Sequence, residues 1–232
     1  MKVSLKKIIV PCLAAVVVAV PFFGAAAKKI SAANSNVIFK RVVIDAGHGG
    51  ADGGAVGSKT GVKEADINLK LSKLLQAEFE RHGYSAIMTR VDENGLYGDE
   101  SDGFKARDLK KRAEIINSSK PEAVISVHMN KYALSSRRGA QVFFKPDSVN
   151  SELLARCVQN KLNLMSEAKR TYRELAGDYY ILRESDYPAV IAECGFLSNP
   201  EDEILLQDEN YLKKLAAALY RGVNDYIEYT AI

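Results

Sequence analysis

Past residue 37 the chain alternates compact apolar blocks with longer segments whose apolar residues recur every three or four positions. The first pattern is that of buried strands, the second that of helices covering one face. FKRVVIDAG reads as a strand that runs into a Gly-rich loop from Gly47 to Gly57. EADINLKLSKLLQAEFERHG then places Ile67, Leu71, Leu74, Leu75 and Phe79 on one helical face and stops at Gly83. YSAIMTR predicts a second strand, ARDLKKRAEIINS a helix through Leu109, Ala113 and Ile116, and EAVISVHMN a third strand after the break at SSKP. GAQVFFK follows as strand four, SELLARCVQNKLNL as a helix turning Leu154, Cys157 and Val158 inward, DYYILR as strand five and AVIAECGF as strand six. Asn199 is placed to cap a helix with Pro200 at its first position and acids in its first turn, where the helix dipole favours them. A last helix runs from roughly Asn210 to Tyr229 through Leu212, Leu215, Ala216, Leu219 and Val223.

Strands alternating with helices predict one α/β domain around a largely parallel sheet. In such folds ligands gather at the carboxyl ends of the strands. His48, His128 and Glu193 all fall at those ends.

The residues before 37 break the rhythm. MKVSLKK is basic, and IIVPCLAAVVVAVPFFGAAA runs 20 residues without a charge. This is either a signal peptide, with Ala25, Ala26 and Ala27 at the cleavage site, or a single membrane anchor. Both readings imply an exported protein with a leader at 1–27, a linker at 28–37 and the folded domain at 38–232, and both confine membrane contact to the leader. Cys12, preceded by Pro11, is a poor lipid-attachment site and reads as one more residue of the apolar run.

Charge narrows the class of partner. The whole chain carries 32 basic and 29 acidic residues, but the leader holds Lys2, Lys6 and Lys7 and no acid, so the remainder is balanced at 29 of each. No basic stripe argues for nucleic acid or an anionic membrane surface. Cys157 and Cys194, the two thiols outside the leader, sit in apolar patterns and read as free and buried.

Glu193 is the residue that calls for an explanation, because a carboxylate among apolar neighbours costs several kcal/mol unless something pairs with it or uses it. His48 and His128 at the same sheet edge form a candidate metal pair, and a catalytic zinc site wants two His plus a carboxylate. His82, just before Gly83, is better explained by capping a helix end. The acids near enough to be a third ligand are Asp45, Asp52, Glu64 and Asp66. Glu64, in the first turn of its helix, projects toward the sheet, whereas Asp66 faces away from Ile67.

VIDAGHGGADGGAVG, the Glu64 of GVKEADINL, ISVHMN and IAECGFLSNP, in this order and spacing, resemble the zinc-dependent N-acetylmuramoyl-L-alanine amidases of the amidase 3 class. The likeness runs from about residue 40 to 229. It implies a twisted, mostly parallel six-stranded sheet flanked by helices on both faces, one zinc ion per chain held by His48, Glu64 and His128, and Glu193 as the catalytic acid/base. The reaction implied is hydrolysis of the amide between the lactyl group of N-acetylmuramic acid and L-alanine of peptidoglycan. Ala46 stands where the family usually has Pro and Cys194 where it usually has an aliphatic residue. Cys194, next to Glu193 in a strand, points to the opposite face as core packing. Asn130, two residues beyond His128 on the same side, is a candidate substrate contact, and Arg90 and Arg112 are expected in structural ion pairs.

Two other readings compete: a different zinc amide hydrolase of the wall, or a peptidoglycan-binding protein without catalysis. A lone domain behind a leader, with GFKARDLKKRAEIIN before the third strand, further resembles the sporulation-specific amidases. These strip peptides from cortex muramic acid so that muramic δ-lactam can form. That likeness implies pairing with a muramic-acid deacetylase, a possible lipoprotein helper and action outside the inner membrane, in the intermembrane space of the forespore. Division amidases of the class often carry a helical plug over the zinc. The short segment between SELLARCVQNKLNL and DYYILR predicts none here, and hence no metal ligand from 165–178.

Overall fold

A computed structural model describes residues 40–165, 167 and 170–231; the expected leader and linker, with Cys12, lie outside them. The described chain runs β1 (Arg41–Ala46), α1 (Glu64–Arg81), β2 (Ser85–Met88), α2 (Phe104–Ser119), β3 (Ala123–Asn130), β4 (Gln141–Phe144), α3 (Val149–Asn163), β5 (Leu175–Ala176), α4 (Tyr180–Glu184), β6 (Ala189–Phe196), α5 (Pro200–Leu205) and α6 (Glu209–Thr230). The strands form one sheet in the order β2-β1-β3-β6-β4-β5. All neighbours pair parallel except β4 and β6.

Alternation along each strand sorts the core into two layers. Val42, Ile44, Ile125, Val127, Val190, Ala192 and Cys194 face one layer, built from α1, α3 and α6 through Leu71, Phe79, Leu154, Val158, Leu215 and Leu219. Val43, Val124, Ala189 and Ile191 face the other, covered by Ile116 of α2 and by Ile181 and Leu182 of α4. The second cover is thinner. Toward the carboxyl edge of the sheet it opens into a cleft of about 260 Å³ that reaches His48 and His128.

The helix ends follow their sequence signals. Asn199 accepts from the backbone N–H groups of Glu201 and Asp202 at 3.0 Å with Pro200 at the first position of α5, Asp208 caps α6, and His82 ends α1 with Nδ1 2.8 Å from the Glu78 carbonyl. Cys194 is buried and Cys157 partly buried, and both are free.

DYYILR is not a strand. Tyr180–Glu184 form α4, and the fifth strand is the two-residue β5 upstream. In a strand Ile181 and Leu182 would point to opposite faces, whereas both belong to the one layer that covers Val43, Val124, Ala189 and Ile191. A helical turn lets both be buried on that one face.

Candidate active site

The sheet brings three distant segments to one edge. Asp45 pairs in register with Ser126, and His128 with Glu193, so by the two-residue alternation Asp45, His128 and Glu193 share the thinly covered face. His48 follows β1 in the left-handed region, φ 61°. The loop after it folds back so that α1 begins at the same edge: the Glu64 N–H donates to the Ala55 carbonyl at 2.8 Å and that of Ala65 to Gly53 at 3.1 Å.

Glu64 is the buried hub. Its Oε1 lies 3.2 Å from His48 Nε2 and 3.0 Å from His128 Nδ1 and accepts from the Met129 N–H at 3.1 Å, while Oε2 accepts from Ala55 N–H at 2.8 Å. The two imidazoles stand edge to face with centroids 5.0 Å apart. One donor atom each from His48, Glu64 and His128 fall within 4.8 Å of one another, the single group among the described residues that could hold a metal ion. The second nitrogen of His48, Nδ1, is 2.8 Å from Asp52 Oδ2, which turns Nε2 toward the centre. Two imidazoles and a carboxylate converging on one point fit a tetrahedral ion with an open fourth position.

Packing is tight enough to exclude larger residues. A Cβ on Gly47 would fall 2.3 Å from the His128 ring, and one on Gly54, held at φ +67°, would fall 2.6 Å from Glu64 Oε2. Glycine is needed at Gly54 for both its conformation and its space.

Electrostatics separates the carboxylates. Burial works against ionisation of Glu64, but the facing imidazoles outweigh it and hold its carboxyl well below the usual range. Burial likewise opposes the charge on His48, yet Glu64 and Asp52 raise it to about 9. Such a proton is what a cation at the same point would displace. Glu193 goes the other way. Burial, aided by the negative charge of Glu64 and offset in part by the histidines, pushes it to about 7, and its Oε2 is sealed from solvent without a hydrogen-bond partner.

Beneath this centre lies a closed ionic frame. Arg112 pairs with Asp45 at 2.7 Å and Asp108 at 2.5 Å and donates to the carbonyls of Ala46 and His48. Asp45 also accepts from Thr89 and Ser126. Arg112 therefore fulfils its expected role. Arg90 does not: it has no ion pair among the described residues and instead donates to the carbonyls of Ala46, Gly47, Ala65 and Asp92, tying the His48 loop to the start of α1.

Asp66 is exposed, as expected. Asn130 ends β3 beyond a bulge, half-buried, its carbonyl accepting from Leu197 N–H at 2.8 Å. Among the described residues of 165–178 none joins the metal-ligand group, and Glu174, Asp178 and Glu167 pair with Arg156, Arg183 and Lys214. Two contributors escaped the sequence reading. Asp52 is not a ligand in this arrangement but the brace of His48. Glu203, read as a helix-dipole acid, is fully buried and accepts from the N–H groups of Lys59 and Thr60 and the Thr60 hydroxyl, pinning the loop that leads into Glu64. No spacing in the sequence signals either role, because the fold of the loop decides that Asp52 braces His48 rather than joining the ligands, and Glu203 reaches that loop from more than a hundred residues away.

The family model described as N-acetylmuramoyl-L-alanine amidase matches residues 42–225. The chain belongs to that family. The amidase is similar to the germination-specific N-acetylmuramoyl-L-alanine amidase of Bacillus subtilis (strain 168), 33% identical over 81% of this chain and 79% of the relative. Among solved structures it resembles the CwlD amidase of Clostridioides difficile in complex with the GerS lipoprotein, at 35% identity, 82% of this chain, 99% of that one and a TM-score of 0.79. It also resembles an N-acetylmuramoyl-L-alanine amidase from Clostridium difficile 630, at 28% identity, 82% and 97% coverage and a TM-score of 0.74. The amidase thus hydrolyses the bond between muramic acid and the L-alanine of peptidoglycan stem peptides, and its six-stranded sheet with helices on both faces is the fold of these relatives.

Proposed function

We propose that the amidase is zinc-dependent, with His48, Glu64 and His128 as the metal ligands and Glu193 as the catalytic acid/base, and that it works in spore-cortex maturation. The observation that carries the chemical reading is the convergence of His48 Nε2, Glu64 and His128 Nδ1 beside the unpartnered Oε2 of Glu193. Zinc, when bound, supplies Lewis acidity toward the scissile carbonyl and the attacking water.

The protein groups do the rest. Glu64 balances the charge of the centre, and Asp52 fixes the His48 tautomer so that a lone pair faces inward. Glu193, poised near neutrality, takes a proton from the attacking water and delivers it to the departing L-alanine nitrogen. Asn130 is assigned a contact with the stem peptide, from its place two residues beyond His128. The nearest alternative, a wall-binding protein without catalysis, leaves the buried Glu193 carboxylate unexplained.

The cortex role rests on the likeness to the germination-specific relative and to the amidase solved with a lipoprotein. We assign the enzyme a lipoprotein helper and functional pairing with a muramic-acid deacetylase in δ-lactam formation. Its place is outside the inner membrane, where peptidoglycan lies, in the intermembrane space of the forespore, reached through the leader. The test is mass spectrometry of muropeptides after zinc-loaded residues 28–232 meet purified peptidoglycan, beside Glu193→Ala. Free stem peptides beginning with L-alanine, absent from the control, establish the reaction. Bound zinc without release on either vegetative or cortex peptidoglycan, with the lipoprotein helper added, overturns it.

A further inference from the structure

The cleft beside the histidines has a wall that the hydrolysis does not use. Its lining includes Phe104, Leu109 and Ile181 as an apolar side and two cations, the buried Arg112 and the exposed Lys105. Lys105 Nζ lies 2.9 Å from Asp52 Oδ1, while the other Asp52 oxygen holds His48 Nδ1 at 2.8 Å. The lysine is therefore one carboxylate away from the His48 ring. Its side chain is 63% exposed, and an ammonium has three donors, so Asp52 leaves donors free toward the cleft. Asp52 is itself shared with His48, and the remaining carboxylates of the cleft, Asp45 and Asp108, are taken by Arg112.

We propose that Lys105 is a specificity residue, binding a free carboxylate of the stem peptide beside the leaving L-alanine. This rests on the amidase reading of the same centre. The chemistry of the substrate supplies the match: after L-alanine the stem continues with D-glutamate joined through its side-chain carboxyl, so a free α-carboxylate sits on the next residue. An extended chain covers at most about 3.6 Å per residue, which places that carboxylate roughly 7 Å from the scissile bond. Lys105 flanks that centre across a single carboxylate, Asp52. Phe104, Leu109 and Ile181 offer an apolar wall along one side, and a charge pair is worth more where a bound substrate displaces solvent. Amidation of that carboxylate, which turns isoglutamate into isoglutamine, removes the charge that Lys105 recognises.

The experiment compares two synthetic muramoyl peptides, one with D-isoglutamate and one with D-isoglutamine, on zinc-loaded wild type, Lys105→Gln and Lys105→Arg. In wild type kcat/KM favours the acid by about tenfold, the scale of one charge-assisted hydrogen bond, mostly through KM. Lys105→Gln brings the ratio near one and Lys105→Arg restores it. A lysine that only braced Asp52 and His48 would change zinc content and lower both substrates alike, leaving the ratio intact, and that result overturns the proposal. So does a wild type indifferent to amidation. Binding of the same two peptides to zinc-loaded Glu193→Gln is read by calorimetry, independently of turnover. Acid-selective binding without turnover in the parent protein retains the subsite and refutes the amidase reading; turnover with equal binding does the reverse.

Discussion

Asp45 and Glu193 are carboxylates on the same face of the same sheet, one on β1 and one on β6, and the surroundings treat them in opposite ways. Asp45 receives Arg112, Ser126 and Thr89. Burial alone would raise its pKa, but these donors bring it down to about 2. Glu193 has histidines and another carboxylate for neighbours, an Oε2 without a partner, and a pKa near 7. A buried charge that supports the fold has its lone pairs filled by fixed donors. One kept for proton transfer is left incomplete, and the missing partner is the substrate.

The harshest way to break this contrast is to remove the metal. Treatment with a chelator is expected to abolish muropeptide release and added zinc to restore it. Far-UV circular dichroism should stay unchanged, since the core layers are built without the ligands. Release that persists with no metal detectable by atomic absorption would refute the zinc assignment. Next in size is Glu193→Gln, for which kcat should fall by about 10²- to 10⁴-fold, the span attributed to a positioned acid/base. Zinc content should hold and the melting temperature should hold or rise, because the amide tolerates an apolar surrounding better than a charge.

Arg112→Leu attacks the other carboxylate. It strands Asp45 and frees the carbonyls of Ala46 and His48, so urea unfolding should show a loss of about 3–5 kcal/mol. A loss under 1 kcal/mol would mean that the frame is not closed in the way the hydrogen bonds indicate. Smaller again is Asp52→Asn, which weakens the brace on His48. Zinc affinity by competition with a chromophoric chelator should drop about 10- to 100-fold, with the fold retained.

The same contrast explains what could be read before the fold was known. The long helices α1, α2, α3 and α6 were legible because their apolar faces repeat over several turns, and the Asn199–Pro200 start because capping chemistry is local. The edge position of His48, His128 and Glu193 was legible because each follows a run of apolar strand residues. DYYILR failed because six residues do not fix a period: Ile181 and Leu182 satisfy a strand on paper and a helical turn on the sheet. Arg90 was misassigned because its partners are carbonyls, which no side-chain pattern reveals. Asp52 could not be told from Glu64 by proximity in sequence, since the loop between Gly49 and Lys63 decides which of them reaches the centre. Its course depends on Glu203, contributed from more than a hundred residues away.

The finest test of the contrast is pH, because the two carboxylates titrate with opposite sign. In metal-free protein Glu193 has its folded value raised from 4.5 to about 7. Its contribution to stability is fully present below pH 4.5 and is lost as pH rises through 7. Asp45 is lowered from 3.8 to about 2, so its contribution is present above 3.8 and lost as pH falls through 2. Urea midpoints measured in chelator from pH 2 to 9 should therefore fall at both ends. Glu193→Gln should flatten the decline between pH 4.5 and 7 and leave the acid arm untouched. Ser126→Ala, which removes one donor to Asp45, should shift the acid arm upward in pH and leave the neutral window as it was. His48, raised from 6.5 to about 9, adds a decline above pH 6.5 that both variants keep, so the informative comparison lies below it. If Glu193→Gln runs parallel to wild type through that window, Glu193 is solvated or paired in the folded protein. The unfilled lone pair on which the catalytic assignment depends would then not exist.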